Sequence, residues 1–150
     1  MKKLKNSELN RIDISTFKSI KKTPLIIILD DIRSLNNIGS IFRTCDAFKI
    51  EKIYLCGITA TPPNRKITKT AIGATESVDW EYYENINDLV SELKNNETII
   101  WAVEQTENSK TLSEIENIEG NKKHVLIFGN EINGVKQDVI NSCNNVIEIN

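Results

Sequence analysis

The chain has 150 residues, is 39% hydrophobic and 27% charged, and carries a formal net charge of −2. That length fits one domain, which can bury roughly 68–70% of its unfolded surface without disulfide or metal staples, and the ordinary charge content argues against disorder. The longest apolar run, 24–29, is too short to span a membrane, and Met1-Lys2-Lys3-Leu4-Lys5 leads into polar residues rather than an apolar signal core, so a cytoplasmic location is expected.

In chain order, residues 1–24 read as one basic helical extension on the outside of a domain spanning 25–150. Leu25–Leu29 is a continuous β-branched run, the pattern of a strand buried on both faces. Ile38, Ile41, Phe42 and Cys45 then fall at helical spacing behind Asn36 or Asn37 as N-cap. A strand over 52–56, a loop over 59–69 and a short helical turn over 69–75 follow. Further strands are predicted over 80–83, 98–103, 124–128 and 146–149, with an Asn85-capped helix, a polar loop 104–109 and a short helical segment 112–118 closed by Gly120. A glycine-bracketed turn 129–134 and a helix 135–143 complete the series. Strands separated by helices imply right-handed crossovers, so the fold class is α/β, a mostly parallel sheet with helices on both faces.

Three cysteines, Cys45, Cys56 and Cys143, show no CxxC spacing and sit beside apolar residues, as reduced buried thiols do. His124 has no second ligand nearby in sequence, and no metal site is expected. The charge balance hides an asymmetry: residues 1–70 hold 14 Lys/Arg against 6 Asp/Glu, and residues 71–150 hold 5 against 15. Arg33, Arg43, Arg65, Lys66 and Lys69 belong to the basic half and are candidate contacts for nucleic acid, although a solvated basic face explains the charge alone equally well.

In an open parallel sheet, ligands sit beyond the carboxyl ends of the strands. Three segments lie there: 37–43, Glu104-Gln105 after Val103, and Gly129-Asn130-Glu131-Ile132-Asn133-Gly134. None is a GxGxxG or GxxxxGK[ST] phosphate loop, and a single histidine inside a strand gives no basis for a nucleophilic triad. Helical geometry puts Gly39, Ser40 and Arg43 on one face, away from the core, with Arg43 one turn in from the helix N-terminus and Gly39 allowing close backbone approach. A solvated arginine is the alternative. Glu131 either caps free N–H groups or accepts from a ligand or partner chain.

Asn37-x-Gly39-x-x-x-Arg43, followed by Thr44-Cys45-Asp46-Ala47-Phe48, resembles the first motif of the SpoU/TrmH-type RNA methyltransferases of the SPOUT superfamily. Phe128-Gly129-Asn130-Glu131-Ile132-Asn133-Gly134-Val135 resembles the second motif, and Lys69-Thr70-Ala71-Ile72-Gly73-Ala74 the segment between them. The resemblance implies methyl transfer from S-adenosylmethionine to a ribose 2′-hydroxyl of tRNA or rRNA. It also implies a trefoil-knotted fold and a homodimer sharing its site between chains. Carried over, Arg43, Asn37 and Glu131 form the catalytic set, and Val103, Glu104, Gly129, Asn130, Gly134 and Ile149 the cofactor site. An arginine is too basic to act as general base, so Arg43 is expected to orient the substrate through an RNA phosphate.

The resemblance stops at the C-terminus. The family's third motif begins with Ile-Pro, whereas here Ile149 reaches its first residue and Asn150 stands where proline is expected. The expectation is therefore a chain shortened from a longer protein, with an incomplete cofactor pocket. A non-catalytic RNA-binding module of the same fold is the second reading, and a generic doubly wound nucleotide-binding protein the third.

Overall fold

The computed structural model describes residues 1–95, 97–115 and 118–149, apart from the Asn6 side chain. The strand β1 (Thr23–Asp30) is its centre, and from Ile26 to Asp30 no residue exceeds 5% exposure. Burial on both faces is what the unbroken apolar run anticipates. Around it lie β2 (Ile50–Cys56), β3 (Trp80–Tyr83), β4 (Thr98–Val103), β5 (Lys110–Thr111), β6 (Lys123–Phe128) and β7 (Asn145–Glu148). Among the described residues they form one sheet in the order β3-β2-β1-β6-β4-β7-β5, every neighbouring pair parallel.

The strand order dictates where the helices go. From β1 the chain steps outward to β2 and β3, through α2 (Leu35–Ala47), then α3 (Arg65–Ala71) and α4 (Ala74–Ser77). It then crosses to β4 through α5 (Ile86–Leu93), and moves from β6 to β7 through α6 (Gln137–Ser142). Right-handed crossovers running in opposite directions place their helices on opposite faces. Accordingly Ile38, Phe42, Ile67 and Ala71 pack on Ile27, Leu29, Ile53 and Leu55, whereas Ile86, Leu89, Val90 and Val139 pack on Ile26, Ile28, Ile100 and Ile127. The β5–β6 connection lies on the first face, with Leu112 and Ile115 beside Leu25, Trp101, Leu126 and Ile147.

Several expectations at element ends are corrected. Residues 1–24 are not one helix: a 3-10 turn covers Asn6–Glu8, and α1 (Ile14–Ser19) is a six-residue helix started by Asp13, which accepts from Thr16 N at 2.8 Å. Only Phe17 anchors α1 as a buried residue, and Thr23 already belongs to β1. The turn placed over 69–75 is two helices. The first starts at Arg65 behind Asn64, which caps Lys66 N and Ile67 N; it ends at Ile72 and Gly73, both left-handed, before α4 begins. The helical segment 112–118 is a 3-10 turn at Leu112–Glu114, and residues 116 and 117 lie outside the described residues. The last helix begins at Gln137, not at Val135.

Candidate active site

Outward steps run in opposite directions from β1 and β6, so the crevice between the carboxyl ends of these neighbours is the topological switch point of the sheet. Two loops meet there, 31–34 after β1 and 129–136 after β6. Their junction is made by side chains. Glu131 accepts from the backbone N–H of Arg33 at 3.1 Å and of Ser34 at 3.0 Å, and Asn130 donates through Nδ2 to the Asp31 carbonyl at 2.8 Å. Burial works against the Glu131 charge, but the N–H groups of Arg33 and Ser34, with the Asn37 side chain, hold its carboxyl below the ordinary value. Within the chain Glu131 caps N–H groups, those of the loop entering α2 rather than of its own helix.

The 129–134 turn is closed on itself. Asn130 N donates to Gly134 O at 3.1 Å and Gly134 N to Asn130 O at 2.9 Å, while Asn130 Oδ1 accepts from Ile132 N and Asn133 N. Gly134 has φ +65°, and a Cβ there would fall 1.9 Å from Glu104 Oε2. A Cβ at Gly129 would fall 2.3 Å from the Gly134 backbone. Glycine is demanded at Gly134 by handedness and at Gly129 by close approach to backbone. Glu104 crosses from the end of β4 to take Val135 N at 2.9 Å and Gln105 N at 2.9 Å, and its own N–H donates to Ile147 O at 3.0 Å. Val103 stands in register with Phe128 on β6 and Ile147 on β7. The candidate cofactor residues Val103, Glu104, Gly129, Asn130 and Gly134 are thus brought together. Ile149 lies past the end of β7, 57% exposed, without a bond to that group.

The helix α2 carries the other candidates and departs from expectation in two ways. Its N-cap is Ser34, which accepts from Asn37 N at 3.2 Å, not Asn36 or Asn37. Arg43 is consequently eight residues beyond the first helical residue, about 12 Å along the axis at 1.5 Å per residue. One anion cannot meet both the helix N-terminus and this guanidinium within a single turn, as the sequence had suggested. Gly39 is buried, not outward: a Cβ would meet Thr70 Oγ1 at 2.0 Å and Ile67 O at 2.4 Å. It lets α3 cross α2 closely, a fit sealed where Thr70 Oγ1 donates to Asn36 O at 3.2 Å. Arg43 itself is exposed, and among the described residues its side chain makes no hydrogen bond or ion pair. Asn37 and Glu131 are neighbours across the switch point; Arg43 is bonded to neither. Arg33 is exposed beside the crevice, and Arg65, Lys66 and Lys69 are exposed on α3.

Sequence reasoning missed Asp31. It takes a left-handed backbone, φ +54°, and its carboxylate joins three loops by accepting from Ile58 N at 3.0 Å and from Lys136 Nζ at 2.7 Å. The bonds from Lys136 and Ile58 hold its carboxyl below the ordinary value. Asp30, 2% exposed, is pushed up instead by burial, against the pull of Lys136. Aspartate tolerates the left-handed region better than most residues, and its place at a strand end is the one available signal. Among the described residues, no cluster of three or more His, Cys, Asp or Glu side chains could hold a metal ion, and no helix is long and apolar enough to cross a membrane.

Comparison with known proteins gives the site its context. The chain is 27% identical over 130 residues to rRNA methyltransferase 1, mitochondrial, of Dictyostelium discoideum, covering 85% of this chain and 24% of that protein. It is 29% identical over 136 residues to an uncharacterized tRNA/rRNA methyltransferase of Borreliella burgdorferi, covering 91% of this chain and 58% of that one. The chain therefore spans less than three fifths of either relative. In fold it resembles the TrmH/SpoU tRNA modifying enzyme of A. aeolicus, with a TM-score of 0.77 at 23% identity over 91% of this chain and 68% of that chain. The AdoMet-bound rRNA methyltransferase of Sinorhizobium meliloti also gives 0.77, at 22% identity over 89% of this chain and 51% of that chain. The model of the SpoU rRNA Methylase family matches residues 24–150, and the chain belongs to that family.

Proposed function

We propose that the chain is the catalytic part of an RNA methyltransferase that uses S-adenosylmethionine and acts on a ribose 2′-hydroxyl of tRNA or rRNA. The observation that carries the reading is the junction of the two motif-bearing loops at the switch point, where Glu131 grips the backbone entering α2. Family membership and relatives named as rRNA or tRNA/rRNA methyltransferases support it, as does the AdoMet-bound structural neighbour. The reading includes a cytoplasmic homodimer sharing its site between chains, with the knotted topology of the family.

The residues fit the cofactor. Val103 and Phe128 form a half-buried apolar shelf at the ends of adjacent strands, suited to a flat adenine ring. Beside it, Gly129 and Gly134 bring the turn's backbone close without an intervening side chain. Val103, Gly129, Asn130, Gly134 and Ile149 would hold the cofactor, and Glu104 fixes the shape of their loop. When bound, the cofactor supplies a methyl group on a positively charged sulfur, already activated for attack by oxygen.

Positioning is then the main task of the protein. Arg43, without an internal partner among the described residues, binds an RNA phosphate through two parallel N–H bonds and fixes the hydroxyl in line. With the cofactor bound, the ribose oxygen would take the methyl as the methyl–sulfur bond breaks and a neutral thioether leaves, and the hydroxyl proton would pass to solvent water, since a protonated guanidinium cannot accept it. Asn37, held beside Glu131, faces the same end of the sheet. The test is calorimetric titration with S-adenosylmethionine, followed by methyl transfer to tRNA and rRNA with nuclease mapping of the product. Micromolar binding with 2′-O-methylated nucleotides is expected. A folded chain that binds RNA but not S-adenosylmethionine would overturn the reading in favour of a non-catalytic RNA-binding module.

A further inference from the structure

We propose that the cleft at the switch point is a subsite for one nucleotide of the substrate RNA, with the base between Ile58 and Ile132 and the phosphate on Arg33. The inference rests on the RNA reading above. The cleft has a volume of about 420 Å³, and its lining comes from the loops after β1, β2 and β6. That is the crevice where open parallel sheets take ligands. It shares Asn130 and Gly134 with the cofactor loops but is not lined by Val103, Glu104, Gly129 or Ile149.

Its rims are apolar in a way that burial does not explain. Ile58 is 67% exposed and Ile132 76%, each standing on a loop where nothing among the described residues covers it. Flat bases are held between apolar side chains in nucleotide pockets, and two such rims across a cleft of this size suit one base. The floor is rigid, because Asp31 fastens Ile58 N and Lys136 Nζ while Asn130 fastens the Asp31 carbonyl. The charge is selective. Lys136 is matched by Asp31 at 2.7 Å and lies 3.9 Å from Asp30, whereas the Arg33 side chain has no partner among the described residues. Among the described residues the cleft therefore offers one guanidinium without an internal partner, enough for one phosphodiester, with Asn133 in its lining for a base edge.

The experiment is NMR of the 150-residue chain with labelled isoleucine methyl groups. It is titrated separately with the four nucleoside 5′-monophosphates, a six-nucleotide single-stranded RNA, inorganic phosphate and S-adenosylmethionine. The methyl signals of Ile58 and Ile132 should shift saturably with nucleotides, and at lower concentration with the RNA. Inorganic phosphate alone should leave them in place. Arg33→Gln, which leaves the backbone bond to Glu131 intact, should weaken binding about tenfold, and Ile132→Ala about fivefold. Unmoved signals, an Arg33→Gln chain that binds as well as the parent, or the same shifts with S-adenosylmethionine alone would overturn the proposal. RNA binding no tighter than a monophosphate would overturn it too, leaving a site for free nucleotides. The readout is independent of methyl transfer: nucleotide binding without methylation would sink the enzymatic reading alone, and methylation with unmoved isoleucines would sink the subsite alone.

Discussion

Replacing Gly134 by alanine tests the construction of the second motif loop. Two costs can be separated. At φ +65° an alanine is strained by about 1–2 kcal/mol relative to glycine. Its Cβ would also lie 1.9 Å from Glu104 Oε2, the flexible end of a side chain, so the carboxylate swings away instead of the backbone parting. It then abandons Val135 N, a bond to a charged acceptor worth roughly 1.5–3 kcal/mol when one partner is stranded. Together the substitution should cost about 2.5–5 kcal/mol, read from urea unfolding at pH 7 with an unchanged slope. In a Glu104→Ala background the carboxylate is already gone and only the strain of about 1–2 kcal/mol should remain. Equal costs in the two backgrounds would refute the argument, because the contact with Glu104 would then contribute nothing.

Four further outcomes follow from the same geometry. Gly39→Ala should lower stability by about 1–3 kcal/mol, since the new methyl meets the Ile67 carbonyl of the α3 backbone as well as Thr70 Oγ1, and moving the side chain alone does not relieve it; guanidinium unfolding measures it. Arg43→Lys should reduce methyl transfer to RNA by about tenfold or more while leaving the unfolding midpoint unchanged, because the guanidinium has no internal partner among the described residues. Asp31→Asn should be destabilising at pH 7 and less so in acid. The native carboxyl of Asp31 titrates below its ordinary value of 3.8, so its contribution is full above about pH 4 and is lost as pH falls through the native pKa; stability curves of the two proteins should converge there. Burial pushes the thiols of Cys45 and Cys56 up to about 12 and that of Cys143 to about 11, so a disulfide reagent at pH 8 should label them only as the chain unfolds.

Patterning that reflects burial was readable. The strands 80–83 and 98–103 have the bounds expected from sequence, and β1 extends its apolar run only by Thr23, Pro24 and Asp30. Periodicity sufficed because each segment answers to the core beside it. The start of α2 was not readable in the same way. Ser34, Asn36 and Asn37 are all good caps, and the choice of Ser34 goes with a carboxylate 97 residues downstream that takes its N–H. Likewise Gly39 looked like room for a ligand, but the space is filled by α3, a partner that spacing within α2 cannot reveal. The two-residue β5 carries no pattern at all; it exists because Lys110 and Thr111 reach the edge of β7. In the candidate site, the turn 129–134 was legible as a glycine-bracketed strand end, whereas the hub at Asp31 depends on Lys136, 105 residues away.

The place of β6 beside β1 has a consequence for the order in which the molecule is made. The two strands at the switch point are about 100 residues apart in the chain, and the bonds from Glu131 to Arg33 and Ser34 span 98 and 97 residues. At a synthesis rate of roughly 5–20 residues per second, β1 waits on the order of 5–20 s for its second neighbour. During that interval β2 can pair one edge of β1, but the other edge stands open, with Ile26 and Ile28 lacking the cover that Val125 and Ile127 later give. The crevice cannot exist in a nascent chain that has made only its first hundred residues. Whatever the crevice binds therefore has no site until folding is complete, and the central strand is the surface a ribosome-associated chaperone would have to shield until then.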